Sequence, residues 1–377
     1  MCNMKCDYCF YCDEAGKRSQ ASFGFMSENT LKNVIRKTLL RAEGAIYYAF
    51  QGGEPTLRGL DFFKKVILFQ QQYNKNRVFI HNSLQTNGFL LDEEWCRFLK
   101  DNNFLVGISV DGTPDIHNSL RHDRTGNSTF DRIEHSAALM DQYQVDYNIL
   151  TVVTPQIAQN IRDIYSFYKK REWHYQQYIA CLDPLEEGHG NTPHSLTPKI
   201  YGQFLIDLFD LWYKDVKKGK APFIRQFDNY INIVSGYMPE ACDQRGICGI
   251  QNVIEADGSV YPCDFYMLDD CCLGNFNINR LDEIDQKRKE IKFIERSQNL
   301  TAECRQCQYH WICRGGCQRN RDLAPENTPV RQLATNNPAK NRQFPDSVSG
   351  PYQNYFCESF RMFFDACLPR ITTLSRI

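Results

Sequence analysis

Ala45-Ile46-Tyr47-Tyr48-Ala49-Phe50-Gln51-Gly52-Gly53-Glu54-Pro55 decides the architecture of this chain. A run of strand length and strand composition ends on two glycines, which free the backbone to turn. Upstream, Ser27 is a natural helix N-cap, and Leu31, Val34, Ile35, Leu39 and Ala42 follow the i, i+3, i+4, i+7 rule of a helix with one buried face. The couple repeats. Strand patterns at 45–50, 78–84, 104–110, 145–153 and 175–182 alternate with amphipathic helical patterns at 60–73, 92–101, 129–143 and 156–170. Strand followed by helix, repeated, predicts a parallel sheet with right-handed crossovers. The chain opens on a cysteine loop, where such a fold would first supply a strand. A first strand is therefore expected to be missing, through truncation or a late start, which leaves Cys2 less firmly held.

Further along, 197–219 and 222–237 read as helices rich in large apolar residues, a bridge between domains. Residues 252–265 read as two strands joined at Asp257-Gly258, a strong hairpin signal. The stretch 318–356, rich in Asn, Pro, Arg and Gln, reads as an irregular surface loop. The expected domains are 1–196, a bridge at 197–240, and 241–377.

Composition narrows the function classes. A chain of 377 residues suits two or three domains. Its 44 Lys and Arg against 45 Asp and Glu leave a net charge of −1, which argues against a nucleic-acid binder. No apolar run approaches the roughly 18–20 residues of a membrane span, and Met1-Cys2-Asn3-Met4-Lys5-Cys6 is not a secretory leader. The expected location is cytoplasmic. Seventeen cysteines are then out of place as disulfides, because cytosolic thiols are kept reduced, and their clustering reads as metal sites.

The first cluster is Cys2-x3-Cys6-x2-Cys9-Phe10. Three thiolates can hold one 4Fe-4S cluster and leave its fourth iron open to a ligand. Structural zinc wants four ligands and catalytic zinc usually includes His, and neither is present unless Cys12 closes the site.

This spacing, with Tyr8 inside it, resembles the radical S-adenosylmethionine (SAM) enzymes, and the Gln51-Gly52-Gly53-Glu54-Pro55 turn resembles their SAM-binding motif. There the glycines admit the methionine moiety and the carboxylate suits its ammonium group. The second group, Cys242-x5-Cys248-x14-Cys263 followed by Cys304-x2-Cys307-x5-Cys313-x3-Cys317 and Cys357, resembles the SPASM domain. The whole chain is most similar to the anaerobic sulfatase-maturating enzymes, through 51–57, 83–88, 104–112, 181–185, 208–213, 257–268 and 314–317. The resemblance implies a partial, TIM-like (β/α)6 barrel and a C-terminal domain with two auxiliary clusters, making three 4Fe-4S clusters with the SAM-binding one. It assigns Cys242, Cys248, Cys263 and Cys317 to the first auxiliary cluster, and Cys304, Cys307, Cys313 and Cys357 to the second. Tyr8, Gly53, Ser109, Arg121 and Leu182 map onto SAM contacts, with 85–88 lining the same pocket. For Arg121 the alternative is a surface arginine beside Arg124.

Asp264, directly after Cys263, takes the place of the family's catalytic base, with a turn residue as its alternative. A carboxylate among apolar neighbours and thiolates should also have a raised pKa. Cys96 and Cys367 read as small buried hydrophobes. Asp111, His81, His117 and His189 read as structural or substrate-orienting, and Cys12, Cys181, Cys271 and Cys272 are left without a ligand role.

The implied reaction uses one electron from an external donor of flavodoxin or ferredoxin type to split SAM. The resulting 5′-deoxyadenosyl radical takes a hydrogen atom from Cβ of a Cys or Ser in an unfolded sulfatase polypeptide, Asp264 takes the thiol or hydroxyl proton, and the remaining electron leaves through the auxiliary clusters. Ser gives Cα-formylglycine directly, and Cys gives a thioaldehyde that water hydrolyses to it. The rivals are another SPASM peptide maturase, forming thioether or side-chain crosslinks, and a zinc-ribbon interaction protein.

Overall fold

Strand and helix alternate in space as they do in sequence, and the computed structural model describes residues 1–185, 188–321 and 353–376. In chain order the strands of the first half are β1 (Met4–Cys6), β2 (Ala45–Phe50), β3 (Phe79–Thr86), β4 (Leu105–Ser109), β5 (Arg121–Asp123), β6 (Tyr147–Val153), β7 (Tyr175–Ala180) and β8 (Phe223–Ile224). Six of them form one parallel sheet in the order β2-β3-β4-β6-β7-β8. The register carries Phe50 beside Leu84, Thr86 beside Ile108, Ser109 beside Leu150 and Val153 beside Ala180. All the C-terminal strand ends therefore open on one mouth, where a barrel of this kind gathers ligands.

Capping explains where the helices start. Ser27, Asp92, Thr154 and Thr197 each accept a hydrogen bond from a backbone N–H in the first turn of the helix that follows. The helix expected over 156–170 is two, Pro155–Gln159 and Ile161–Lys170, divided at Asn160. Their apolar faces cover the sheet, and Leu84, Val106, Ile108, Ile133, Met140 and Ile164 are fully buried. Leu84→Ala should lower stability by about 2–5 kcal/mol, read as a lower denaturant midpoint.

The sheet corrects two sequence expectations. Its sixth strand is β8, inside the stretch read wholly as helix over 222–237, and only Arg225–Val234 there is helical. The sheet thus runs past residue 196 into the segment read as a bridge. The long helix Pro198–Val216 is the crossover from β7 to β8, and it also packs on the C-terminal helix Cys357–Leu374. A two-residue strand leaves no periodicity to read. The short β1 pairs antiparallel with β5, and β2 is an edge of the main sheet.

In the second half β9 (Val253–Ile254), β10 (Ser259–Tyr261) and β11 (Gly274–Asn275) form an antiparallel sheet in the order β11-β10-β9. The predicted hairpin is there, shorter than 252–265, and turns at Gly258 with φ +93°. Val260, Leu273, Phe276 and Ile284 pack with Val34 of the helix Glu28–Leu39, and Lys37 Nζ donates to the carbonyls of Phe276 and Asn279 at 2.6 Å each. These contacts seat the C-terminal domain on the barrel. Most of the loop read over 318–356 lies outside the described residues; its described ends meet, Tyr355 N–H donating to the Asn320 carbonyl at 2.9 Å. Among the described residues no helix is long and apolar enough to cross a membrane.

Candidate active site at the barrel mouth

The N-terminal cysteine loop lies against the mouth because β1 is stitched to β5, with Cys6 opposite Arg121. Arg124 Nε donates to the Cys2 carbonyl at 2.7 Å, Asp7 N–H to the Leu120 carbonyl at 3.1 Å, and Glu54 N–H to the Met1 carbonyl at 2.8 Å. Cys2, Cys6 and Cys9 are free and half-buried. Burial raises the Cys2 thiol and pushes Cys6 up to about 11, so these thiols keep their protons until a cation displaces them. Among the described residues no three His, Cys, Asp or Glu side chains converge at single-ion distances. The fit to an iron–sulfur cluster rests on the donor set, three free thiols on one backbone-anchored loop.

Of the predicted SAM contacts, Tyr8 and Arg121 meet, while Gly53, Ser109 and Leu182 stand at or just past the C-terminal ends of β2, β4 and β7. Gly53 has φ +55°, and a Cβ there would sit 2.2 Å from the Met1 carbonyl oxygen, so only glycine fits. Ser109 is buried at the last position of β4, and Leu182 follows β7. Arg121 is no surface arginine. It is 7% exposed, its Nη1 donates to Tyr8 Oη at 2.7 Å and lies 3.5 Å from Asp111 Oδ2, and its Nε is buried without a partner among the described residues.

Asp111, completely buried, also accepts from Tyr8 Oη and from Val152 N–H at 3.0 Å, which bears out a structural reading for it. Burial, and then the Arg121 charge, hold His117 well below its usual pKa; the neutral ring accepts from Asp111 N–H through Nδ1 at 3.1 Å. His81 stacks on Tyr47, and His189 bonds Asp183 at 3.1 Å.

Glu54, read from sequence as a partner for an ammonium group, is held by donors of the fold itself. Its buried carboxylate accepts from Thr56 N–H, Thr56 Oγ1 and Thr86 Oγ1 through Oε1, and from Asn87 N–H through Oε2. It binds the Gly-Gly-Glu turn to the end of β3.

The C-terminal domain closes the mouth from the other side. Asp264 stands half-buried after β10; Gln51 Nε2, at the end of β2, donates to its Oδ2 at 3.2 Å, and Cys263 Sγ lies 3.4 Å from its Oδ1. Burial raises the Asp264 pKa, although hydrogen bonds from Cys263 and Gln51 oppose the shift. Tyr11 was missed in the sequence reading. Its ring lies 3.6 Å from where a Gly52 Cβ would be, and burial, then the Asp264 charge, raise its phenol. An aromatic two residues past Cys9 was the available signal. Phe10 packs edge-on against Phe265 with centroids 5.2 Å apart, fixing this side of the cleft.

The eight remaining predicted ligands fall into two neighbourhoods. Cys242, Cys248 and Cys263 lie near enough to Cys317 for their charges to interact. Cys304, Cys307 and Cys357 lie in the same way near Cys313. Cys96 and Cys367 are fully buried among apolar side chains, as expected of small hydrophobes. Exposed Cys12 follows Cys9 by one turn, its N–H donating to the Cys9 carbonyl at 3.1 Å.

Comparison with known proteins fits this geometry. The radical SAM superfamily model matches residues 1–168, and an iron–sulfur cluster-binding domain, SPASM, matches 247–308. A cysteine-type anaerobic sulfatase-maturating enzyme of Clostridium perfringens is 40% identical over 99% of this chain and 95% of its own length. A serine-type enzyme of Bacteroides thetaiotaomicron is 29% identical over 98% of this chain and 87% of its own. A solved structure, native anSMEcpe with bound AdoMet and Kp18Cys peptide, superposes with a TM-score of 0.89 at 39% identity, covering 100% of this chain and 96% of that one. The chain therefore belongs to the anaerobic sulfatase-maturating enzymes of the radical SAM superfamily, enzymes that work with SAM and iron–sulfur clusters.

Proposed function

We propose that this chain oxidises a cysteine of an unfolded sulfatase polypeptide to Cα-formylglycine, with Asp264 as the base. The observation that carries this reading is the hydrogen bond from Gln51 to Asp264, which sets a half-buried carboxylate at the barrel mouth beside the Gly-Gly-Glu turn. Cys2, Cys6 and Cys9 would hold the SAM-binding cluster, while Tyr8, Gly53, Ser109, Arg121 and Leu182 would contact SAM. Bound there, SAM and its cluster supply a radical that removes a hydrogen atom from the substrate Cβ. Asp264 takes the thiol proton, with Gln51 holding the carboxylate toward the cleft, and the remaining electron leaves to an auxiliary cluster. Water hydrolyses the resulting thioaldehyde to the aldehyde with release of hydrogen sulfide. Tyr11 and Phe10 wall off water on the helix side. Cys242, Cys248, Cys263 and Cys317 would hold one auxiliary cluster, and Cys304, Cys307, Cys313 and Cys357 a second, both suited to accepting an electron because cysteine ligation is complete.

The cysteine preference is supported by identities of 39–40% to cysteine-type relatives against 29–30% to serine-type ones. The electron donor is a flavodoxin- or ferredoxin-type protein, and the free thiols suit a reducing cytoplasm. The barrel takes 1–196 with β8, the rest of 197–240 packs beside it, and 241–377 forms the auxiliary-cluster domain. The test is turnover of paired peptides differing only in Cys or Ser at the target. Cys should be favoured by roughly tenfold, the factor that about 1.4 kcal/mol of barrier gives. Equal rates would remove the preference, and no aldehyde from either peptide would remove the function.

A further inference from the structure

We propose that the side-chain amide of Asn87 is a redox-tuning group, donating an N–H to the sulfur of Cys2 and so raising the potential of the cluster held there. The proposal rests on reading Cys2 as a cluster ligand. Asn87 is 5% exposed. Its Nδ2 lies 2.8 Å from Asn3 Oδ1 and 3.8 Å from Cys2 Sγ, so its two hydrogens serve two acceptors. The amide cannot be flipped without loss, because Oδ1 accepts from Phe89 N–H at 3.0 Å.

The backbone beneath it is fixed as well. Asn87 N–H donates to Glu54 Oε2 at 2.7 Å, and Thr86 Oγ1 to Glu54 Oε1 at 2.8 Å. A second donor, Met4 N–H, reaches the same sulfur at 3.4 Å. Donors aimed at a ligand sulfur stabilise the more negative, reduced state of a cluster, and such hydrogen bonds help set its potential. Glu54, besides binding its own turn to the end of β3, thereby holds Asn87 against the cysteine loop.

The test is an anaerobic redox titration of the holoenzyme followed by electron paramagnetic resonance, reading the reduced-cluster signal that changes when SAM is added. Asn87→Leu keeps the volume and loses the donor. Asn87→Asp keeps the shape and replaces the donor with a charge. The wild type should have the highest midpoint potential, Asn87→Leu a lower one and Asn87→Asp the lowest, with the auxiliary signals unmoved. Equal midpoints overturn the proposal. Loss of the SAM-sensitive signal in both variants, with the auxiliary clusters kept, also overturns it, because Asn87 would then be a structural strut. If only Asn87→Leu loses the cluster, the comparison with Asn87→Asp decides. Wild-type iron content in Cys2→Ala would sink the ligand reading and the proposal together. A signal that vanishes in Cys2→Ala yet stays unshifted in the Asn87 variants sinks the proposal alone.

Discussion

Asp264→Asn should form aldehyde about 10²- to 10⁴-fold more slowly than the wild type while keeping its iron and continuing to release 5′-deoxyadenosine. The substitution preserves size and the acceptor that Gln51 Nε2 reaches at 3.2 Å, so the mouth should keep its shape. What it removes is the ability to take a proton. Substrate oxidation then stops after hydrogen-atom removal, and cofactor cleavage becomes uncoupled from product. The two readouts are peptide mass and 5′-deoxyadenosine from the same reaction. Gln51→Ala should act in the same direction more weakly, because it loosens the carboxylate without removing it. Full aldehyde formation by Asp264→Asn would remove the base role from Asp264.

Much of this site is legible in sequence for a physical reason. The proposed ligands and the glycine turn are local motifs, close together in the chain, so Cys2, Cys6 and Cys9 and the turn at Gly53 can be singled out without coordinates. Strand and helix alternation is equally local, and the five strands read from sequence lie within a few residues of β2, β3, β4, β6 and β7. What sequence does not carry is convergence. Arg121 is singled out through the family resemblance alone, with a surface arginine as the alternative, because nothing near it announces that β5 pairs with the cysteine loop. That the carboxylate of Glu54 also accepts from Thr86 and Asn87, at the end of the neighbouring strand, is equally invisible in sequence. Likewise β8 is too short for a pattern, and its place is set by the helix Pro198–Val216, which returns the chain to the sheet edge. Each of these is a long-range contact that local pattern does not display.

Asp111→Ala tests the most consequential of those contacts, and it should cost about 3–5 kcal/mol of stability together with loss of the N-terminal cluster. Asp111 is fully buried, and one carboxylate serves three partners, Tyr8 Oη, Arg121 and Val152 N–H. Removing it leaves the Arg121 guanidinium buried without its counter-charge, on a side chain whose Nε already lacks a partner. Water cannot easily compensate, since Arg121 is 7% exposed. The damage then passes to the cysteine loop. Arg121 lies opposite Cys6 in the β1–β5 pair, and Tyr8 sits between Cys6 and Cys9. A displaced Arg121 therefore frees the backbone that spaces the thiols. Asp111→Asn keeps an acceptor for Val152 N–H and should lose less stability, because only the charge is gone. Denaturant midpoints of the anaerobic proteins, with iron content before and after adding SAM, separate the two effects. A wild-type midpoint in Asp111→Ala would mean that Arg121 finds another anion. Wild-type iron at a lowered midpoint would mean that the loop is held by its backbone stitches alone, through Arg124 and Asp7.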